Sequence, residues 1–205
     1  DMTYAIGEGE FINGDVITQD SVYVTDISNV NAGSYTASIV LQGSIDEKYF
    51  ISNGSAFNYT IAPLPVNTEW EVEEHIYYGS AYVPQASAVG LDGYNLPIYM
   101  SSAEINAGTY TARAYLSDSN YVLIDDTIEY EIKQKSVSVL WGISQLVFNV
   151  IAQCPLVSSV NGLVGSDNIN SQFIYGGYSS NINVGEGYKA TVSLPSTSNY
   201  KFDTE

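Results

Sequence analysis

Apolar and polar residues alternate with a period of two over much of this chain. One set of alternate positions reads Tyr35, Ala37, Ile39, Leu41, with Thr36 and Ser38 between them. The pattern returns as Tyr110, Ala112, Ala114, Leu116 against Thr111 and Arg113. It returns again as Tyr188, Ala190, Val192, Leu194 against Lys189, Thr191 and Ser193. That period belongs to a β-strand with one face buried and the other in water. A second alternating set, Val66, Thr68, Trp70, Val72, is matched by Val137, Val139, Trp141, Ile143, and both sets are predicted to face a core. No stretch keeps a helical period. Asn53-Gly54, Asp92-Gly93 and Asn161-Gly162 mark turns between strands. The pattern predicts an all-β protein.

The alternating strands sit inside longer matches. Asn31-Ala-Gly-Ser-Tyr-Thr-Ala37 is matched by Asn106-Ala-Gly-Thr-Tyr-Thr-Ala112 and, with one residue inserted, by Asn183-Val-Gly-Glu-Gly-Tyr-Lys-Ala190. Downstream, Asn120-Tyr121 matches Asn199-Tyr200, with Lys48-Tyr49 at the same place in the first segment. Phe57-Asn-Tyr-Thr-Ile61 and Glu129-Tyr-Glu-Ile132 then form similar closing strands. Upstream, Trp70 and Trp141, Pro84 and Pro155, and Val89 and Val160 keep one constant offset of 71 residues. Such self-similarity signals internal duplication. It divides the chain into residues 1–63, 64–135 and 136–205, with boundaries near Pro63-Leu-Pro65 and Lys133 to Ser136. The expectation is three β-sandwich modules arranged end to end, with short connections that stiffen the row. The first module reads as clipped at its N-terminal side and the third as clipped before its closing strand.

Composition narrows the partners. Six Lys and Arg stand against 23 Asp and Glu, a net charge of −17, so a nucleic-acid partner, which needs a basic footprint, is not expected. Anionic membrane surfaces are disfavoured for the same reason. No run approaches the roughly 18 apolar residues of a membrane span, so membrane insertion is not expected. Tyrosine, at 18 residues against six phenylalanines, suits strands that are half wet. Cys154 is the sole cysteine, which excludes an intrachain disulfide; its apolar neighbours predict a buried small hydrophobe.

The Asn-x-Gly-x-Tyr-x-Ala segments resemble the tyrosine corner of immunoglobulin sandwiches, in which a tyrosine hydroxyl bonds back to nearby backbone. Tyr35, Tyr110 and Tyr188 take that place, and Ala37, Ala112 and Ala190 stand where an immunoglobulin cysteine would follow. Together with the downstream Asn-Tyr and the closing Tyr-x-Ile strand, the pattern resembles the MBG family of bacterial immunoglobulin-like repeats. Residues 1–63, with Phe11-Ile-Asn-Gly-Asp15, look more like its YDG/MBG-type variant. The third segment departs from the pattern at Gly185-Glu-Gly187. The resemblance implies a secreted or wall-attached bacterial protein, of the Gram-positive type, in which such modules form stalks and adhesin regions. It implies no catalytic residue and no cofactor.

Candidate chemistry is sparse. His75, the only histidine, lies among glutamates and is expected to be solvated. Glu69, Glu71 and Glu73 alternate on one strand face, and Asp118, Asp125 and Asp126 form a second acidic group. Rows of like charge repel unless solvated or bound to a cation, so these six are the calcium candidates, although no EF-hand spacing is present. Gly7-Glu-Gly9 lacks the third glycine of a phosphate loop. The reading is therefore a non-catalytic extracellular spacer, possessing a role in adhesion to a host, matrix or glycan ligand, and monomeric within a longer array. The alternative is a carbohydrate-binding accessory module, for which Tyr77, Tyr78, Tyr175 and Tyr178 are the candidate exposed aromatics.

Overall fold

The computed structural model describes residues 14–26 and 28–203. Gly7-Glu-Gly9 and most of Phe11-Ile-Asn-Gly-Asp15 therefore lie outside the described residues. Within them the chain is all-β, its helical content confined to single turns such as Gln19–Ser21, Gly43–Ile45 and Asn170–Gln172.

Strands β1 (Val22–Thr25), β2 (Gly33–Leu41) and β3 (Ala56–Ile61) form an antiparallel sheet with β2 at its centre. Its register places Tyr35 opposite Tyr59, with ring centroids 5.6 Å apart. Two residues then lead into β4 (Leu64–Asn67), β5 (Glu69–Glu71), β6 (His75–Ile76), β7 (Gln85–Ser87), β8 (Ile98–Met100), β9 (Gly108–Leu116), β10 (Tyr121–Ile124) and β11 (Thr127–Lys133). Four of these, with the long β9 and β11 at the centre, build a sheet in the order β6-β11-β9-β8. Tyr130 again lies opposite Tyr110. Against this sheet stand the parallel pair β4 and β10 and the antiparallel pair β5 and β7.

A single residue, Gln134, separates β11 from β12 (Lys135–Trp141). After it come β13 (Val157–Asn161), β14 (Ile174–Gly176), β15 (Thr191–Ser193) and β16 (Tyr200–Phe202). β12 pairs in parallel with β16, Lys135 opposite Tyr200, just as β4 pairs with β10, Leu64 opposite Tyr121. Trp70 lies opposite Ala86, and Trp141 opposite Val157, so the constant offset seen in the sequence holds in register at the tryptophans, although a bulge shifts the pairing of β12 by one residue just before Trp141.

Alternation is visible in burial. Along β9 the inward Ala112 and Ala114 are buried while Thr109, Thr111, Arg113 and Tyr115 are exposed. Side chains of successive residues point to opposite faces, so a strand under a single layer of cover must read this way. The far ends of the tryptophan strands depart from the expectation. Val72 and Ile143 are exposed, because β5 ends at Glu71 and β12 at Trp141 and the chain leaves the sheet before reaching them. One core cluster joins Tyr77, Ala112, Tyr130 and Ile132 to Val137, Ile169 and Tyr200, and so runs across Gln134 without a break.

Candidate functional site

Three tyrosines close similar loops. Tyr35 Oη donates to the Asn31 carbonyl at 2.8 Å, Tyr110 Oη to that of Asn106 at 2.9 Å, and Tyr188 Oη to that of Asn183 at 2.9 Å. Each phenol lies over a glycine. A Cβ on Gly33, Gly108 or Gly185 would stand 3.1, 3.0 or 2.8 Å from the hydroxyl, closer than a side chain can comfortably approach. The third loop is one residue longer and accommodates it at Gly187, whose φ of +74° is a left-handed conformation that glycine enters freely.

Next to the first two loops sit two asparagines. Asn120 Oδ1 accepts the Ala32 backbone N–H at 2.7 Å, and its amide donates to Asn31 Oδ1 at 3.2 Å. Asn199 makes the same two bonds one loop later, to the Ala107 N–H at 2.8 Å and Asn106 Oδ1 at 3.0 Å. The backbone carbonyls of the two asparagines accept the N–H groups of Leu64 and Lys135, at 2.8 and 2.9 Å. Each asparagine therefore ties a tyrosine-closed loop to the first strand beyond the following connection. At the second connection Gln134 adds its own grip, Nε2 donating to the Ser198 carbonyl at 2.7 Å.

A phenol pair completes that second joint. Tyr77 and Tyr200 meet edge to face with centroids 5.3 Å apart, and both hydroxyls donate to Asp167 Oδ2, at 2.8 and 2.5 Å. Tyr200 Oη also accepts the Val164 N–H at 2.9 Å. Burial, reinforced by Asp167, raises the Tyr77 phenol above its usual range and pushes that of Tyr200 up to about 12.

The residues singled out from the sequence fare differently. Glu69, Glu71 and Glu73 are exposed, and among the described residues no three His, Cys, Asp or Glu side chains come together as a metal site would require. Asp126 pairs with Arg113 at 2.9 Å, Asp118 Oδ1 accepts the Asn120 N–H at 2.9 Å, and the Asp125 carbonyl accepts Trp70 Nε1 at 3.0 Å. The carboxylates of Asp118 and Asp126 hold the chain's own groups, and Asp125 does so through its backbone carbonyl. His75 is not solvated as expected: its half-buried ring stacks on Tyr82 at 3.9 Å, and Nε2 is shielded with no hydrogen-bond partner among the described residues. Cys154 is half-buried, and burial pushes its thiol up. Of the four tyrosines expected on the surface, Tyr78 alone is exposed. Tyr77 is buried because Asp167 and Tyr200 cover it. Tyr175 is half-buried against Trp141 and Phe173, and Tyr178 is half-buried too. A different pair lies on the outer face, Tyr99 and Tyr115, directly opposite across β8 and β9 and both exposed, with the Arg113 guanidinium 5.4 Å from the Tyr115 ring.

Asn120 and Asn199 are visible in the sequence only as a shared Asn-Tyr. Their partners lie about 90 residues away, and no local signal announces them. Asp167 carries no signal at all, being an isolated acid in a polar loop. Beyond the third tyrosine-closed loop lies an open groove of about 600 Å³, lined among others by Leu146, Phe148, Val184, Tyr188 and Ala190. Among the described residues no helix is long and apolar enough to cross a membrane. No family model, curated protein or solved structure matches the chain.

Proposed function

We propose that the chain is a row of immunoglobulin-like β-sandwich modules, residues 1–63, 64–135 and 136–205, serving as a non-catalytic spacer of a bacterial surface protein. In this role it holds a distal adhesive part away from the cell. The observation that carries the reading is the twofold asparagine joint at Asn120 and Asn199. A repeated, side-chain-specific lock across each short connection fixes the angle between neighbours, which is what a stalk must do and a catalyst need not. The resemblance to MBG-type repeats and the acidic, self-repelling surface agree with a secreted location and a monomeric state.

Small-angle scattering tests it. The wild-type chain should scatter as an elongated, stiff particle. Replacing both asparagines (Asn120→Ala with Asn199→Ala) should broaden the distance distribution while the fold persists. A wild-type profile of one compact globule, or a variant profile that superimposes on it, would sink the spacer reading.

A second reading, an accessory module that binds glycans, rests on Tyr99 and Tyr115, whose adjacent exposed rings offer a stacking surface. Saturable glycan binding abolished by Tyr99→Ala and Tyr115→Ala would put this reading first. Binding indifferent to both changes would remove it.

A further inference from the structure

The groove beside Tyr188 corresponds to a place that a strand fills elsewhere in the molecule. In the four-stranded sheet, β11 lies between β6 and β9, parallel to the first and antiparallel to the second. The offset of 71 that relates Trp70 to Trp141 carries His75, Tyr77 and Gly79 onto Leu146, Phe148 and Val150. The backbone supports this equivalence, since Gly79 and Val150 both have positive φ, +79° and +64°. The offset of 78 that relates Tyr110 to Tyr188 carries Ala112 onto Ala190 and Thr111 onto Lys189. The two walls that hold β11 thus recur as Leu146 and Phe148 on one side and Tyr188 and Ala190 on the other. Between them lies the groove.

Exposure agrees. Ala112, paired alongside β11, is 0% exposed, whereas Ala190 is only half-buried. Phe148, on the facing wall, is 51% exposed. Val150, a β-branched residue, holds a left-handed φ that costs free energy unless a neighbour fixes it, yet it too is exposed. We infer that the groove is a binding site for one extended peptide strand of the β11 kind, carrying Tyr-x-Ile on its inward face and lying antiparallel to β15 and to the segment from Tyr188 that leads into it. This rests on the module reading above. The inward residues would take the places of Tyr130, which meets Tyr110 at 5.7 Å, and of Ile132, which pairs with Gly108. The groove is lined by both Glu186 and Lys189, so charge bears on the register of the docked strand rather than on its overall attraction. Glu129 of β11 lies opposite Thr111, and the position equivalent to Thr111 is Lys189, so an acid in the docked strand would face a cation. Main-chain bonds to the open strand edge would supply affinity and the Tyr-x-Ile pair selectivity, the usual division in strand addition.

The probe is a synthetic peptide with the sequence of residues 126–134, titrated into the whole chain by calorimetry, with sedimentation run in parallel. The expected result is saturable one-to-one binding. Serine at the peptide positions of Tyr130 and Ile132 should weaken it by about tenfold or more, because a few inward anchors carry most of such binding. Ala190→Arg in the protein, which fills the groove from a half-exposed position, should weaken it likewise. No saturable binding, or equal binding of the serine peptide, overturns the inference. Concentration-dependent dimers that the peptide does not dissociate would assign the groove to a second copy of the chain and overturn it too. The scattering of the asparagine variants is independent of the groove, so failure of the peptide would leave the spacer reading standing.

Discussion

The hydroxyl of Tyr110 makes one hydrogen bond, to the Asn106 carbonyl, while its ring stands over Gly108 and beside Tyr130. Tyr110→Phe keeps the ring and leaves the carbonyl without that partner. A net intramolecular hydrogen bond is worth about 1 kcal/mol, so the variant should lose about that much by chemical denaturation; an unchanged midpoint would mean that the bond holds nothing. Gly108 is the harder residue to replace, since any Cβ would press on the hydroxyl at 3.0 Å. At this scale the sequence was informative. Asn-x-Gly-x-Tyr is written there because the loop must bring a phenol over a residue with no side chain. Surface aromatics were less legible. Tyr77 and Tyr78 are neighbours in the chain, yet one is buried and the other exposed, because adjacent residues of an extended segment point opposite ways and only the sheet decides which way is inward.

Strands are held by what lies on both flanks. β11 is central in its sheet, and Ile132 is 1% exposed between His75 and Gly108. β15, by contrast, pairs only with β14 among the described residues and is three residues long, although its sequence matches that of the nine-residue β9. The same alternating pattern therefore gives a long strand where both edges are paired and a short one where a flank is open. Propensity in a sheet is largely the fit to cross-strand neighbours, which accounts for the difference. The tryptophan strands make the same point. Their inward pattern extends to Val72 and Ile143, but the pairing stops earlier, at Glu71 and Trp141, and the last apolar positions are left in water.

Across the whole molecule the contacts spanning Gln134 include a titratable lock. Tyr77 and Tyr200 both donate to Asp167, and the Tyr200 phenol is raised to about 12 from an ordinary 10. A phenol with a raised folded pKa contributes stability that is fully present below the unfolded value and lost as pH rises through the folded one. Stability at this joint should thus be level up to about pH 10 and fall between about 10 and 12. Tyr200→Phe should flatten that alkaline fall, as followed by denaturation at a series of pH values. A fall of equal steepness in the variant would show that Tyr200 is not its source. The lock could not be read beforehand. Tyr77, Asp167 and Tyr200 stand 90 and 33 residues apart and belong to no common motif.

The sequence by itself determined the all-β character, the period-two faces, the tyrosine-closed loops and the offset that relates one stretch to the next. The first three are local, because they follow from alternation and from residues within about five positions of each other, and the offset is read by comparing one such local stretch with another. Tertiary structure alone decided which recurring residue does the joining. Asn120 and Asn199 act on loops about 90 residues upstream, Asp167 gathers two distant phenols, and the groove beside Tyr188 exists only because two walls meet in space with no strand between them. Hydrogen bonds and packing depend on proximity in three dimensions, and a linear pattern encodes that proximity only after the sheets have formed.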